Sequence, residues 1–599
     1  MRTKLKLCVG GLLAFFASVL LAADRTYQNA GGDLASKDSE DWGGTAPGPS
    51  DNAIVNQAGT YTLSSDVTFG RLRVRTTGST FNLNGHNQTA ALFVENVANA
   101  QNVFSGGMLD INNGEIRTAY NASGINTTFT DGCVITNAKT FYAARECSNA
   151  KTEIAGGSKA NVGTLRLLDG GSDKKYGNNN TLEIYDGGQL YVTNRIYSDA
   201  NMPAVTEETQ RGGQCLIVRG AGSVLSDNTP ISSYLASLGN SRDSNTFRFS
   251  DNAFAYFRTG VQLNAGKNSL FVENGATCNV TRINFQCSGN IVSVSNAVLV
   301  CNRVQAGNPL FVYGAAASNN LFRVYGPGAS VTLGVNTGDF FGESNSGYNT
   351  VSFEGGASWG FDGNRTKMMA RTHHSIFRIT GERTTVGSTG RQFYIGDTTV
   401  DSSEVATISS VSNRLEVLDG ATFNARRLPV MGVANTVCIS NATVNIGGNA
   451  DVVGLRVGYN VPSGYSNSTN CVLVLQGTTP KVEINSAAVD NGACWFSNGA
   501  TLRFEIPKEG YADGYVPLTT NSKFLMDDEA SKLEIDCAEF VAKTGGKLHL
   551  IHAEGGITAA SKTRLAACVT LPERCTLIVD DKDVYIKSPR VRGFIISFW

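Results

Sequence analysis

Charge is scarce in this sequence. Asp, Glu, Lys and Arg make up 17% of 599 residues, and 50 cations against 51 anions leave a net charge of −1. With a pI near 6.6 the chain lacks the basic footprint of a nucleic-acid or anionic-membrane binder, so neither is expected as a partner. Histidine is scarcer still: His86, His373, His374, His549 and His552 are the whole supply. The 13 cysteines include no Cys-x-x-Cys pair, which removes the common zinc-site spacings. Stretches rich in Ala, Glu, Lys and Leu are few, so little helix is expected. Beyond residue 23 no apolar run is long enough to cross a bilayer as a helix.

Apolar length is concentrated at the start. Arg2, Lys4 and Lys6 precede a run from Leu7 to Ala23 that ends on Ala22 and Ala23, the layout of a secretory signal over residues 1–23. Cys8 lies inside that run rather than just behind it, which argues against a lipid-anchored terminus. The mature chain is then expected to be secreted or displayed on a bacterial cell surface.

What is abundant is glycine, 66 residues of 599 against a usual ~7%, together with Asn, Ser and Thr around short runs of Val, Ile, Phe and Tyr. Such runs read as many short strands. One phrase recurs. Asn180 to Val192 (NTLEIYDGGQLYV) returns from Asn245, Asn268, Asn290, Asn320, Asn349, Asn413, Asn435, Asn470 and Asn491, with degenerate copies at Cys215–Leu225 and His374–Glu382. Each copy holds two segments of alternating residues, so one face of each points inward. A corner such as Asp186-Gly187-Gly188, Asn274-Gly275-Ala276 or Asp419-Gly420-Ala421 separates them and suits positive φ. The leading Asn residues are placed to hydrogen-bond from one copy to the next.

The unit repeats every roughly 28 residues, within the range of solenoids and too soon for a sandwich domain of about 100 residues. The expected fold is therefore all-β: a parallel β-helix of roughly 15–20 turns, on the order of 70–100 Å long. It is divided into an N-terminal cap (24–60), the β-helix (61–508) and a C-terminal β cap with a tail (509–599). Leu182, Ile184, Leu190, Val192, Leu270, Val272, Phe322, Val324, Leu415 and Val417 should share one core. Aligned on their corners, Cys278 matches Leu190 and Cys494 matches Leu182, so both are expected as buried thiols. Cys568 and Cys575 flank Leu571-Pro572-Glu573 and are spaced to face one another across a hairpin.

This pattern resembles the passenger regions of autotransporters and related bacterial surface β-helix proteins. The opening Trp42, Pro47, Asp51-Asn52 and Ile54, the strand Gly59-Thr60-Tyr61-Thr62, the Asn-led units and the closing Lys547–Gly556 carry the resemblance. It implies a structural or adhesive role and an extracellular glycan or a host or cell-surface protein as partner. It departs from the family at the end, because the segment after Ile506 is too short and too charged for a membrane barrel. The tail Arg590–Trp599 reads as a final cap strand or as an export signal.

Parallel β-helices also host polysaccharide lyases and hydrolases, and a passive cell-envelope layer protein is a further alternative. Motifs of the Asn-Thr-Asp, Gly-His-Gly or Arg-Ile-Lys type are missing. Asp527-Asp528 and Asp580-Asp581 are adjacent pairs whose members point to opposite faces of a strand, unlike the facing carboxylates of a glycosidase. His373-His374 beside Met368-Met369 suggests a soft-metal site only until further ligands are sought, and Gly220-Ala221-Gly222 is a corner with no helix behind it to cradle phosphate. The outward residues Glu183, Arg248, Phe271, Ser293, Arg323, Ser352 and Glu416 repeat no single sign. The loops 226–244 and 385–412 are the places where a site could be assembled out of sight of a linear reading. No catalytic residue, cofactor or metal ligand is assigned, and a non-enzymatic protein is expected.

Overall fold

The computed structural model describes residues 22–95, 97–169, 177–198, 212–230, 236–238, 244–301, 317–333, 346–361, 365–367, 372–396, 410–447, 454–458, 468–485, 494–526, 528–537, 546–567, 571 and 575–587. Residues 1–21 of the signal segment, Met368-Met369, Asp527, Cys568 and the Arg590–Trp599 tail lie outside them, and with Cys568 goes the hairpin bridge to Cys575.

The chain winds as a parallel β-helix. From Asn180 on, the Asn-led segment forms the first strand of most turns, and an equivalent strand opens the earlier ones. Nineteen such strands are described, from Gly32–Asp33 through Thr181–Ile184 and Leu321–Tyr325 to Lys532–Asp536, each paired in parallel with its neighbours on adjacent turns. At ~4.8 Å per strand the stack is about 85 Å long. The predicted corners follow, with Asp186 at φ 49° and Gly187 at φ 72°. A second strand comes next, for example Gln189–Val192 against Val224–Asp227 and Phe254–Phe257.

Many of the described turns then have a third strand that the alternation in the sequence does not predict. It is only three residues long in Ala236–Leu238, Val261–Leu263, Ile283–Phe285 and Leu455–Val457, too short for alternation to register. Elsewhere it is fused to the second strand across a bend, as in Val67–Val74, Val134–Tyr142, Lys159–Arg166 and Gln189–Tyr197. The supposed loops 226–244 and 385–412 contain Ala236–Leu238 and the ten-residue strand Thr385–Tyr394.

Parallel winding also extends past both expected boundaries. Asp24–Tyr27 already pairs in register with Asn52–Val55, and Leu518–Thr520 with Ile551–Ala553. Closure at the far end is left to the helix Ala559–Ala566 and to Asp583–Lys587, which runs antiparallel to both Lys547–Ala553 and Thr576–Val579. At the near end Trp42 is 2% exposed, with its ring edge-on to Tyr27 at 4.9 Å.

The core is continuous along the rod. The ten residues expected inside are at most 1% exposed and belong to one cluster running from Tyr27 to Ile586. Each such side chain stabilises by about 1.5–3 kcal/mol when fully buried. Cys278 and Cys494 are buried free thiols. Cys278 stacks between Ala255 and Leu299 in the Leu190 column, as expected. Cys494 does not share the Leu182 column; it sits on the third sheet between Leu455 and Phe524, and Leu502 takes the inward place on the first.

Two inner stacks mark different parts of the rod. In the early turns Tyr61, Phe81, Phe104 and Phe129 lie ring on ring at centroid spacings of 5.3, 4.7 and 5.5 Å. Further on, buried amides form a ladder just ahead of the first strand. The side-chain oxygen of each accepts the backbone N–H of its counterpart one turn earlier: Asn245 from Gln214 and Asn268 from Asn245, both at 2.9 Å, then Asn290 from Asn268 at 2.9 Å and Asn320 from Asn290 at 2.8 Å. Asn349, Ser375, Asn413 and Asn435 continue the series at 2.8–3.1 Å. His374 does not replace the ladder Asn. Ser375 does, while His374 occupies the left-handed position before it (φ 52°), where Asn179 and Asn319 sit in other turns. At the Asn470 copy the ladder place belongs to Cys471, and one turn later to Ala500; Asn491 lies outside the described residues.

Candidate functional site

The groups singled out for chemistry are dispersed. His373 and His374 meet each other through their Nδ1 atoms at 3.2 Å, and the His374 ring stacks on the exposed Tyr348. Among the described residues no group of three or more His, Cys, Asp or Glu is placed to hold a metal ion. His86 stands 3.5 Å from Asp66. His549 packs against Tyr585, and His552 is held by Asp583 at 2.8 Å and Glu554 at 3.3 Å. Asp528 accepts from the Gly499 N–H and the Ser531 hydroxyl, which together with nearby Arg564 outweigh burial and keep its carboxyl below the usual range. Asp581 lies in the closing hairpin turn against Lys562. Gly220 and Gly222 form a corner at positive φ.

On the first sheet the outward residues Glu183, Arg248, Phe271, Ser293, Arg323, Ser352 and Glu416 fall in a single row along the rod. The charged ones are joined to other outward residues turn by turn. Lys151 bridges Glu153 and Glu183, both at 2.7 Å, and Glu183 also takes Arg219. Arg323 pairs with Glu354 at 3.1 Å, Arg378 with Glu416 at 2.7 Å and Arg503 with Glu534 at 2.7 Å. Burial alone raises the Glu183 carboxyl, but the two cations outweigh it and hold it below the usual carboxylate range. A carboxyl locked in this way is a poor proton donor at neutral pH.

A different surface opens where the second and third strands meet. In successive turns one strand has an extra residue at the bend: Ile135–Ala138 spans what Ala160–Val162 spans, and Val192–Arg195 has the longer span again. Bulges of this kind bend a strand and re-aim its side chains. Here they leave a groove of about 600 Å³ over four turns, lined by Asn112 and Asn113, Thr136 to Lys139, Asn161 to Gly163, and Thr193 and Asn194. Asn113 and Asn137 are left-handed (φ 59° and 54°), and the Asn113 N–H donates to the Asn137 carbonyl at 2.7 Å. The Asn137 amide donates to Asp110 at 2.9 Å and that of Asn194 to Thr164 at 2.9 Å.

Beyond the groove, on the third sheet, runs a row of alternating cations and rings that does not line it. Arg117, Tyr142, Arg166 and Tyr197 occupy one register position on consecutive turns, with guanidinium-to-ring distances of 5.5–5.7 Å. Arg117 also pairs with Glu115, and Arg166 with the buried Asp169. Tyr142 is 6% exposed, so the row is a packed wall rather than an open stacking platform. On the second sheet Tyr191 pairs in register with the groove residue Asn161, with Lys159 over its ring at 4.8 Å.

Sequence reasoning missed this groove because it lies ahead of the turns where the Asn-led phrase is clear. The available signal was Asn112-Asn113-Gly114, Asn137-Ala138-Lys139, Asn161-Val162-Gly163 and Thr193-Asn194 recurring five to seven residues after the corners at Gly106, Asp131, Gly156 and Asp186. No helix among the described residues is long and apolar enough to cross a membrane. Comparison of the chain with models of protein families, with curated proteins and with solved structures gives no match.

Proposed function

We propose that this chain is a secreted or cell-surface β-helix with a structural or adhesive role, and that it is not an enzyme. One observation carries the reading: the rod is bonded turn to turn on both its inner and its outer surface. Inside, the amide ladder and the aromatic stack link successive turns. Outside, the charges of the first sheet neutralise one another. A body built in this way keeps its length and presents many modest contacts along it, as an adhesin or an envelope fibre requires. The composition of the first 23 residues and the resemblance to surface β-helix proteins point the same way.

Surface labelling of intact cells, with N-terminal sequencing of the mature chain, tests the location. Loss of attachment in a deletion strain tests the role. Steady release of unsaturated or reducing sugar ends by the purified chain, abolished by one carboxylate substitution, would replace this reading with that of a polysaccharide lyase or hydrolase. A periodic lattice on cells that attach normally without it would favour an envelope layer.

A further inference from the structure

We propose that the groove at the bend holds a stretch of uncharged glycan chain lying along the rod axis; the inference rests on the adhesive reading above and names its ligand class. The first argument is shape. The groove crosses four consecutive turns at ~4.8 Å each, a run of about 15 Å, so its natural occupant is a chain with its own short repeat. The second is chemistry. Ala138 and Val162, at 4% and 3% exposure, close the bottom of the groove, so the carbon surface open to a ligand comes mainly from the side-chain stems of the lining residues around them. Along its sides Asn112, Asn113, Asn161 and Lys139 extend polar groups that make no hydrogen bond or ion pair within the described residues. A pyranose has the complementary division, with apolar C–H faces and a hydroxyl perimeter. A primary amide, offering two donors and an acceptor, satisfies such hydroxyls from either side.

The third argument is charge. Lys139 is the single ionic group lining the groove. Nearby Asp110 already accepts from the Asn137 amide and the Asn112 N–H, and Arg117 and Arg166 are engaged by carboxylates and rings. An acidic polymer would find no cluster of free cations there, in contrast to the charge-assisted pairs that such ligands need. An extended peptide is also poorly served. Main-chain groups at the bend are committed to neighbouring turns, the Lys139 N–H to the Gly114 carbonyl at 2.9 Å among them, so strand addition has no free edge.

The test uses the purified full-length mature chain and defined hexasaccharides. Uncharged arms are gluco-, manno- and xylo-oligosaccharides; acidic arms are galacturonate, mannuronate and a sulfated hexasaccharide; an Asn/Thr-rich peptide is the control. Binding of at least one uncharged arm is expected, insensitive to salt from about 50 to about 500 mM. Both Asn161→Ala and Asn161→Trp should weaken it about tenfold or more, with unchanged thermal melting to show that the variants fold. Arg323→Ala, on the far sheet, should leave it unaltered. Binding of an acidic arm alone, fading with salt, would overturn the ligand class. Uncharged binding untouched by both Asn161 variants would overturn the site. Absence of all glycan binding, or binding of the peptide alone, would overturn the proposal, while attachment by intact cells would still show that the adhesive reading holds.

Discussion

Turns wound before Asn180 and turns wound between Asn180 and Asn435 have the same three-strand outline but fill the same inner corner with opposite chemistry. In the early turns the corner place is taken by Ala100, Ile125 and Ala150, all nearly or fully buried, and cohesion comes from the Tyr61–Phe129 ring stack. In the later turns the place is amide, and cohesion at that corner comes from oxygen-to-N–H bonds that cross each turn. Backbone pairing therefore fixes the winding, and either device stabilises it, because a buried N–H and a buried ring each require a partner in the adjacent turn.

The contrast is broken most forcefully by Phe104→Ala. Opening a cavity at a fully buried ring costs about 3–5 kcal/mol, and hydrogen exchange should accelerate in the early turns while amides near Asn290 keep their protection. The matching lesion in the later turns is Asn290→Ala. It strands the Asn268 N–H and removes the donor to the Cys287 carbonyl, and denaturant titration should register about 2–3 kcal/mol. Equal exchange throughout the rod in either variant would show that the two regions unfold as one unit and have no separate cohesion.

Asp227 sharpens the comparison at the junction. It points inward between Val192 and Phe257 and is fully buried; Thr229 donates to one carboxyl oxygen while the other has no hydrogen-bond partner. Burial raises its pKa against the opposing pull of the Thr229 donors. A carboxyl raised on folding supports stability below its unfolded pKa and loses that contribution as pH rises through the folded value. Asp227→Asn should therefore gain stability over the parent as pH rises from the ordinary aspartate range through the raised folded value, read by thermal melting; a constant difference at all pH values would rule out titration at this site. The smallest effect is expected outside. Glu354 is raised by burial but lowered further by Arg323 and Ser352, so its contribution is present above the ordinary glutamate range and is lost as pH falls. Glu354→Gln should cost about 1 kcal/mol or less, fading with added salt.

The sequence made the later turns legible and hid the early ones for one physical reason. A buried amide is a rare residue in a conspicuous place, so Asn180, Asn245 and Asn290 announced each turn, whereas Ala100 and Ile125 in the same place look like any apolar residue. Alternation found the inward faces, including Phe322, although the Asn319-Asn320 doublet ahead of it fits the leading place with either residue; the structure gives Asn320 the ladder and Asn319 the left-handed turn. Three-residue strands such as Ile283–Phe285 are shorter than the pattern that would reveal them. The groove depends on which turn has the extra residue at its bend, a comparison between distant segments that single-strand reading does not make. Cys494 was correctly read as buried but misplaced, since its strand belongs to the sheet that went unseen.

The amide ladder has a direction. Every rung lends its oxygen backward, so the N–H of Asn268 is satisfied only after Asn290 has been laid down, and that of Asn290 only after Asn320. Within these turns a stack halted partway always has its deficit on the same face, the one looking toward the carboxyl terminus. Assembly from the amino end thus resembles a zip whose last tooth remains open until the next arrives, and each finished turn is a template that selects its successor. A chain delivered amino end first across a membrane would find that order of closure already written into the ladder.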